Sequence, residues 1–72
     1  MNKKRQTQIQ TCITQLESIA DSLGDILDDE DAARAGMFEG TEMYEKSEEA
    51  SDTLYDAKDC IKDVVDSLSK IL

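Results

Sequence analysis

The chain has 72 residues, of which 35% are charged and 4% aromatic, and its formal net charge is −9. It has no His, so the commonest general base and the commonest transition-metal ligand are both missing. A body with this charge is expected to be repelled by nucleic acid and anionic membranes and attracted to basic protein surfaces. We therefore expect one non-enzymatic domain over residues 1–72, without a cofactor.

The sequence also indicates whether the chain is ordered and where in the cell it is found. Few aromatics and many charges are typical of disordered chains, but a sustained heptad period favours ordered helix. No segment approaches the ~20 apolar residues of a membrane span, and the N-terminus lacks a signal-peptide pattern. These features predict a soluble, cytoplasmic protein that does not contact a membrane.

The first half of the chain carries three adjacent apolar columns at heptad spacing. The columns are Ile9, Leu16 and Leu23 at position a, Cys12, Ile19 and Ile26 at position d, and Ile13, Ala20 and Leu27 at position e. Three columns make a stripe wider than a two-stranded seam, which is typical of a helix with more than one neighbour.

Two places are candidates for the end of this helix. Asp28 begins a run of four acidic residues, which the helix dipole disfavours at a C-terminus. Three alanines between 32 and 35 instead favour a longer helix with a C′ stop at Gly36. On propensity we expect the longer version, a first helix over about 4–35.

The following segment predicts a turn over 36–40 and a second helix over about 41–71. Met37 and Phe38 are expected to cover the end of the hairpin. Thr41 is a good N-cap, because its hydroxyl can accept a hydrogen bond from the first helical turn.

The second half repeats the heptad pattern with one apolar line. Its members are Ser47, Leu54, Ile61 and Leu68 at position a and Ala50, Ala57, Val64 and Ile71 at position d. Position e holds Tyr44, Ser51, Lys58, Val65 and Leu72. Two helices of equal length joined by a short connection predict an all-α antiparallel hairpin.

Large apolar side chains concentrate at the open end of this hairpin, away from the turn. The set expected to mediate self-association is Ile9, Ile13, Leu16, Ile61, Val64, Val65, Leu68, Ile71 and Leu72. Two helices cannot bury so many large side chains between themselves, and each exposed one forfeits ~1.5–3 kcal/mol of burial. The pattern predicts a homodimer that forms a coiled-coil-like four-helix bundle. The alternative is that this end docks a different protein.

Carboxylates form a straight line on the second helix, opposite the apolar one. This acidic line consists of Glu45, Glu49, Asp52, Asp56, Asp59, Asp63 and Asp66, and a shorter acidic row on the first helix consists of Glu17, Asp21, Asp25 and Asp28. One interpretation is an ordinary solvated helix face. The other is imitation of a nucleic-acid backbone, because the ~5 Å spacing of the line is close to that of phosphates. Such a line would occupy the basic groove of a nucleic-acid-binding protein.

The residues give little support for metal binding or for catalysis by a thiol. The acidic run that begins at Asp28 lacks the alternating ligands and mid-loop Gly of a calcium loop, so loose counterion binding is expected and no metal site. Cys12 is expected to be a small buried core residue and Cys60 to be partly exposed. A disulfide between them stays open, and neither thiol has a His to activate it.

The stretch Thr41-Glu-Met-Tyr-Glu-Lys-Ser-Glu-Glu-Ala50, followed by Asp52, Leu54 and Ala57, resembles small acidic helical-hairpin proteins encoded by phages and mobile elements. The turn Gly36-Met-Phe-Glu-Gly40 departs from the Asn-Met-Pro-Glu-Asn form of that group. The group has no established activity. What the resemblance implies is a setting in which small acidic proteins inhibit host or defence proteins, anti-CRISPR proteins among them.

Overall fold

The computed structural model describes all 72 residues and consists of two α-helices without a strand. Helix α1 spans Lys3–Arg34 and helix α2 spans Glu42–Ser69. The helices pack side by side in opposite directions, and the Cα atoms occupy 55 × 15 × 11 Å. The prediction of an all-α two-helix hairpin is therefore confirmed.

Side-chain caps fix where both helices begin. The Asn2 carboxamide oxygen accepts a hydrogen bond from the backbone N–H of Arg5 at 2.9 Å. The Thr41 hydroxyl accepts one from the N–H of Tyr44 at 3.2 Å, as predicted. Each cap satisfies an N–H group that has no partner within the helix.

The turn is built differently from the predicted one. Helix α1 continues through its acidic run to Arg34, and the N–H of Met37 then bonds to the Arg34 carbonyl at 2.9 Å. The only residue with a positive φ is Gly40, at +80°, so the expected left-handed stop at Gly36 is absent. Phe38 is 84% exposed and does not cover the hairpin end, while Met37 is half-buried.

The interhelical seam uses heptad columns a and e of both helices. Its buried and half-buried members at these columns include Ile9, Ile13, Leu16, Ala20, Leu23 and Leu27 of α1, and Tyr44, Ser47, Ser51, Leu54, Ile61, Val65 and Leu68 of α2. Ile13 is the one buried apolar residue, with 4% exposure, and no side chain is fully buried. The hairpin by itself therefore has a very small core.

Column d lies largely outside the seam. Ile19, Ile26 and Val64 are 50%, 52% and 47% exposed, and Cys12 is exposed as well. The prediction of a buried Cys12 is wrong, because two helices touch along one narrow stripe and columns a and e occupy it.

The register places the centre of the hairpin near residue 41. The Ser51 hydroxyl bonds to the Asp31 carboxylate at 2.7 Å, so paired residue numbers sum to about 82. Cys12 therefore lies across from residue 70, and Cys60 lies ~15 Å further along the axis at 1.5 Å per residue. Both cysteines are free thiols, and both are exposed.

Two glycines have opposite roles, which gives a first prediction. A Cβ at Gly24 would lie 2.9 Å from the Lys58 Nζ, the mobile end of a side chain that can swing away. Gly24→Ala should raise the free energy of unfolding by ~0.5–1 kcal/mol, since Ala favours a helix interior. Gly40→Ala should lower it by ~1–2 kcal/mol because of the positive φ.

Urea denaturation followed by circular dichroism measures both changes at one chain concentration. Destabilisation by Gly24→Ala would show that the Lys58 stem is fixed tightly over Gly24. An unchanged stability of Gly40→Ala would contradict the left-handed turn.

Candidate functional site

The acidic line occupies the outward surface of α2. All seven carboxylates of the line are exposed, and none forms an ion pair. They occupy heptad positions c and f, which point away from the a and e columns of the seam. From Glu45 to Asp66 the line is ~32 Å long at 1.5 Å per residue. The two ion pairs of the molecule, Lys46–Glu42 and Arg34–Asp31, lie outside the line.

One broad face of the hairpin carries members of both acidic sets, the row of α1 and the line of α2. A shallow groove between the helices is lined by Glu17, Ala20 and Asp21 of α1 and by Lys58, Asp59, Ile61, Lys62, Val65 and Asp66 of α2. Carboxylates from both helices therefore border this groove. Lys58 and Lys62 are among its lining residues and form no ion pair there, so this groove holds carboxylates of both helices and two unpaired lysines.

The opposite broad face is apolar. Because the helices are antiparallel and both use columns a and e for the seam, their d columns fall on one side. This apolar face consists of Cys12, Ile19 and Ile26 of α1, Met43, Ala50, Ala57 and Val64 of α2, and Ile71, which follows the end of α2. A groove on it is lined by both Ile26 and Ala50, which shows that the columns meet.

A polar cluster of Asp31, Arg34, Ser47 and Ser51, here called the Arg34 cluster, joins the helices near the turn. The Arg34 guanidinium donates to the Ser51 hydroxyl at 2.7 Å, to the Ser47 carbonyl at 3.1 Å and to the Asp31 carboxylate at 2.7 Å. Ser51 in turn donates to Asp31 at 2.7 Å. Ser47 and Ser51 are buried, at 3% and 7% exposure. No buried side-chain polar atom lacks a hydrogen-bond partner, so the cluster is fully satisfied.

The Arg34 cluster also acts on the ionisation of Asp31. The hydrogen bond from Ser51, followed by the hydrogen bond and charge of Arg34, lowers the pKa of the Asp31 carboxyl below its ordinary value of 3.8. Both donors favour the ionised carboxylate. Arg34 is thus bound at physiological pH by an anion of its own helix and by two serines of α2.

The structure divides the residues expected to mediate self-association. Six of them, Ile9, Ile13, Leu16, Ile61, Val65 and Leu68, are buried or half-buried, and Val64, Ile71 and Leu72 are exposed. The six belong to the seam of the hairpin itself. The unpartnered apolar surface therefore extends along the d columns of the whole hairpin and is not confined to the open end.

Sequence reasoning missed the Arg34 cluster. Its signal was present, since Ser47 and Ser51 are polar residues one turn apart in the a and e columns of α2. Polar residues in two inward columns, at the level of an Asp-x-x-Arg pair on the first helix, indicate a buried polar contact.

Three further observations complete the description. No group of three or more His, Cys, Asp or Glu side chains is arranged to hold a metal ion. Neither helix combines the length and the apolar character needed to cross a membrane. Comparison with protein-family models, curated proteins and solved structures finds no match.

The lowered pKa of Asp31 gives a second prediction. Because the folded pKa lies below the unfolded one, the stabilisation by Asp31 is present above pH ~4 and is lost as pH falls through the folded pKa. Asp31→Asn should therefore lower the melting temperature at pH 7 and have progressively less effect below pH 4.

Asp56→Asn is the matched control, because it removes the same charge from an exposed, unpaired position. Thermal scans at one chain concentration from pH 7 to pH 2 measure both variants. An equal effect of Asp31→Asn at pH 7 and pH 2 would exclude an ionised carboxylate as the partner of Arg34.

Proposed function

We propose that this protein is a non-enzymatic interaction protein that presents its acidic line to a basic, nucleic-acid-binding protein surface and blocks it. The outward, unpaired line of seven carboxylates carries this proposal. The resemblance to phage-encoded acidic hairpins favours a host or defence protein as the target. An anti-CRISPR-like inhibitor or DNA mimic is the class that fits.

The length of the line supports this type of target. Its ~32 Å extent is close to one turn of B-DNA, ~34 Å. A basic groove that follows a DNA backbone would meet negative charge over a comparable distance. The absence of ion pairs leaves every carboxylate of the line available to a lysine or arginine of the target.

The negative net charge favours a protein, and not a nucleic acid, as the partner. A net charge of −9 opposes close approach of a phosphate backbone, and it speeds association with a basic surface. Lys58 and Lys62 are bordered by carboxylates in their groove, so they do not form a separate basic patch. Direct nucleic-acid binding and membrane binding are therefore not part of the proposal.

We propose further that the protein is a homodimer in which two apolar faces pack together as a four-helix bundle. With one buried apolar residue, the hairpin alone has little to offset the loss of conformational entropy on folding. Pairing through the apolar face buries the d columns and keeps the acidic line, on the outer side of α2, exposed to a target. The proposed cytoplasmic location suits the two free thiols.

A second candidate is an assembly module that uses only the apolar face. Five of the nine exposed large apolar residues, Ile19, Ile26, Met43, Val64 and Ile71, belong to this face. In that case the acidic line only keeps the assembly soluble.

A third prediction distinguishes these two functions. Bacterial proteins captured by the immobilised chain are identified, and the leading basic one is produced and titrated against fluorescent duplex DNA. The wild-type chain should displace the DNA. A variant in which Asp52, Asp56, Asp59 and Asp63 become Asn should lose ~10-fold or more in affinity, since each exposed charge pair contributes ~0.2–1 kcal/mol.

The matched control neutralises Asp25, Asp28, Asp29 and Glu39, which removes the same net charge from outside the line. Its affinity should fall much less. Equal losses of affinity in the two variants would show that the interaction depends on net charge alone. If the variant without the four line carboxylates still displaced the DNA, the acidic line would not be the binding surface, and the assembly module would be the remaining candidate.

A fourth prediction concerns the dimer. Val64→Glu should convert a dimer into a monomer in sedimentation equilibrium, because it places a charge in the proposed interface. Tyr55→Glu is the control, since Tyr55 is 59% exposed, lies on the same helix and points to the other face. It should leave the dimer intact. A wild-type chain that sediments as a monomer at high concentration would refute the homodimer.

A further inference from the structure

The apolar face is uneven along its length. In the d column of α2 and its C-terminal turn, Ala50 and Ala57 stand toward the turn of the hairpin, whereas Val64 and Ile71 stand toward the open end. Val64 and Ile71 are 47% and 49% exposed, so they project from the surface. Met43, at the turn, is 66% exposed, so the column is shallow between Met43 and Val64 and is raised again toward the open end.

The charge of the hairpin is uneven along the same axis. Residues 28–49, around the turn, carry nine carboxylates and two basic side chains. The open end, formed by residues 1–10 and 64–72, carries four basic side chains and one carboxylate. The molecule is thus an electric dipole that is negative at the turn and positive at the open end.

We infer that the two copies pair in opposite directions, with the turn end of one hairpin on the open end of the other. This inference rests on the proposed dimer. Packing the copies in the same direction would place the two acidic turns together, and like charges across an interface oppose association. The opposite direction brings each basic open end to an acidic turn.

Shape favours the same arrangement. A twofold axis across the middle of the apolar face lays α2 on α2 of the partner subunit. In the register of full overlap, Val64 then packs on Ala57 of the partner subunit, and Ile71 packs on Ala50 of the partner subunit. Val64 and Ile71 thus each meet a small side chain, which gives close packing along this column.

The area is sufficient for a stable dimer. The hairpin measures 55 × 15 Å across this face. Full overlap therefore covers about the ~800 Å² per partner of a standard protein interface. A shifted register would leave part of both d columns uncovered, so full overlap buries the most apolar surface.

One cysteine reports on this geometry. The hairpin runs from Lys3 to the turn at residue 41, so its middle lies near residue 22 of α1 and, in the observed register, near Cys60 of α2. Cys60 stands at position g, beside the d column, and is exposed. The twofold axis therefore brings the two copies of Cys60 close together. The two copies of Cys12 lie ~30 Å apart, because they are 20 residues from each other along the axis.

Thiol cross-linking of the full-length chain tests the orientation. Wild type, Cys12→Ser and Cys60→Ser are oxidised with copper phenanthroline and separated on a non-reducing gel. Wild type and Cys12→Ser should give at least ~10-fold more covalent dimer than Cys60→Ser. Val64→Glu should abolish the cross-link, which excludes random collision between exposed thiols.

Sedimentation of the same samples separates this inference from the proposed dimer. Dimers that sediment normally but do not cross-link through Cys60 would overturn the opposite orientation and leave the dimer standing. A cross-link that persists in Val64→Glu would overturn it as well, since it would arise without the interface. If every sample sediments as a monomer, the proposed dimer itself is wrong.

Discussion

Arg34 reaches from the last turn of α1 to Ser47 and Ser51 of α2, and through Asp31 it joins both helices in one satisfied hydrogen-bonded cluster. Arg34 is half-buried, with 20% of its side chain exposed, and a charged group that is partly withdrawn from water is costly unless its hydrogen-bond partners are present. Because Arg34 and Ser51 occupy column e and Ser47 occupies column a, the cluster requires these columns to face inward. Rotation of either helix to bury column d would break it. The positions of the apolar face and of the acidic line both follow from this constraint.

The two surfaces differ in their energetic consequences. Neighbouring carboxylates on a helix cost ~0.2–0.5 kcal/mol per pair, and salt screens that repulsion. A large apolar side chain left in water forfeits ~1.5–3 kcal/mol, and half-exposed residues such as Ile19, Ile26 and Val64 forfeit a good part of it. The apolar face therefore has the greater influence on the state of the chain. The acidic line adds little strain and keeps its charge available.

The sequence predicts the helices better than it predicts the seam. The heptad period suffices for two helices and for the Thr41 cap, because periodicity and capping act locally. It does not separate column d from column e of α1, since both hold three apolar residues. That choice depends on Arg34, Ser47 and Ser51, whose polarity indicates solvent when each is considered alone. The turn shows the same limit at Gly36, where local propensity favours a left-handed stop and the structure has none, whereas Gly40 has a positive φ and reverses the chain.

Assembly and charge are linked in the proposed dimer. In that dimer, a hairpin with one buried apolar residue would gain most of its remaining burial from the second copy, so its folded fraction would rise with chain concentration. The carboxylates of the acidic line are collinear only while α2 is helical. Dimerisation would therefore maintain the line as a rigid array, and a target would meet it without ordering the chain first. Preorganisation of this kind reduces the entropic cost of binding. In this proposal the apolar face supports the acidic line without touching the target.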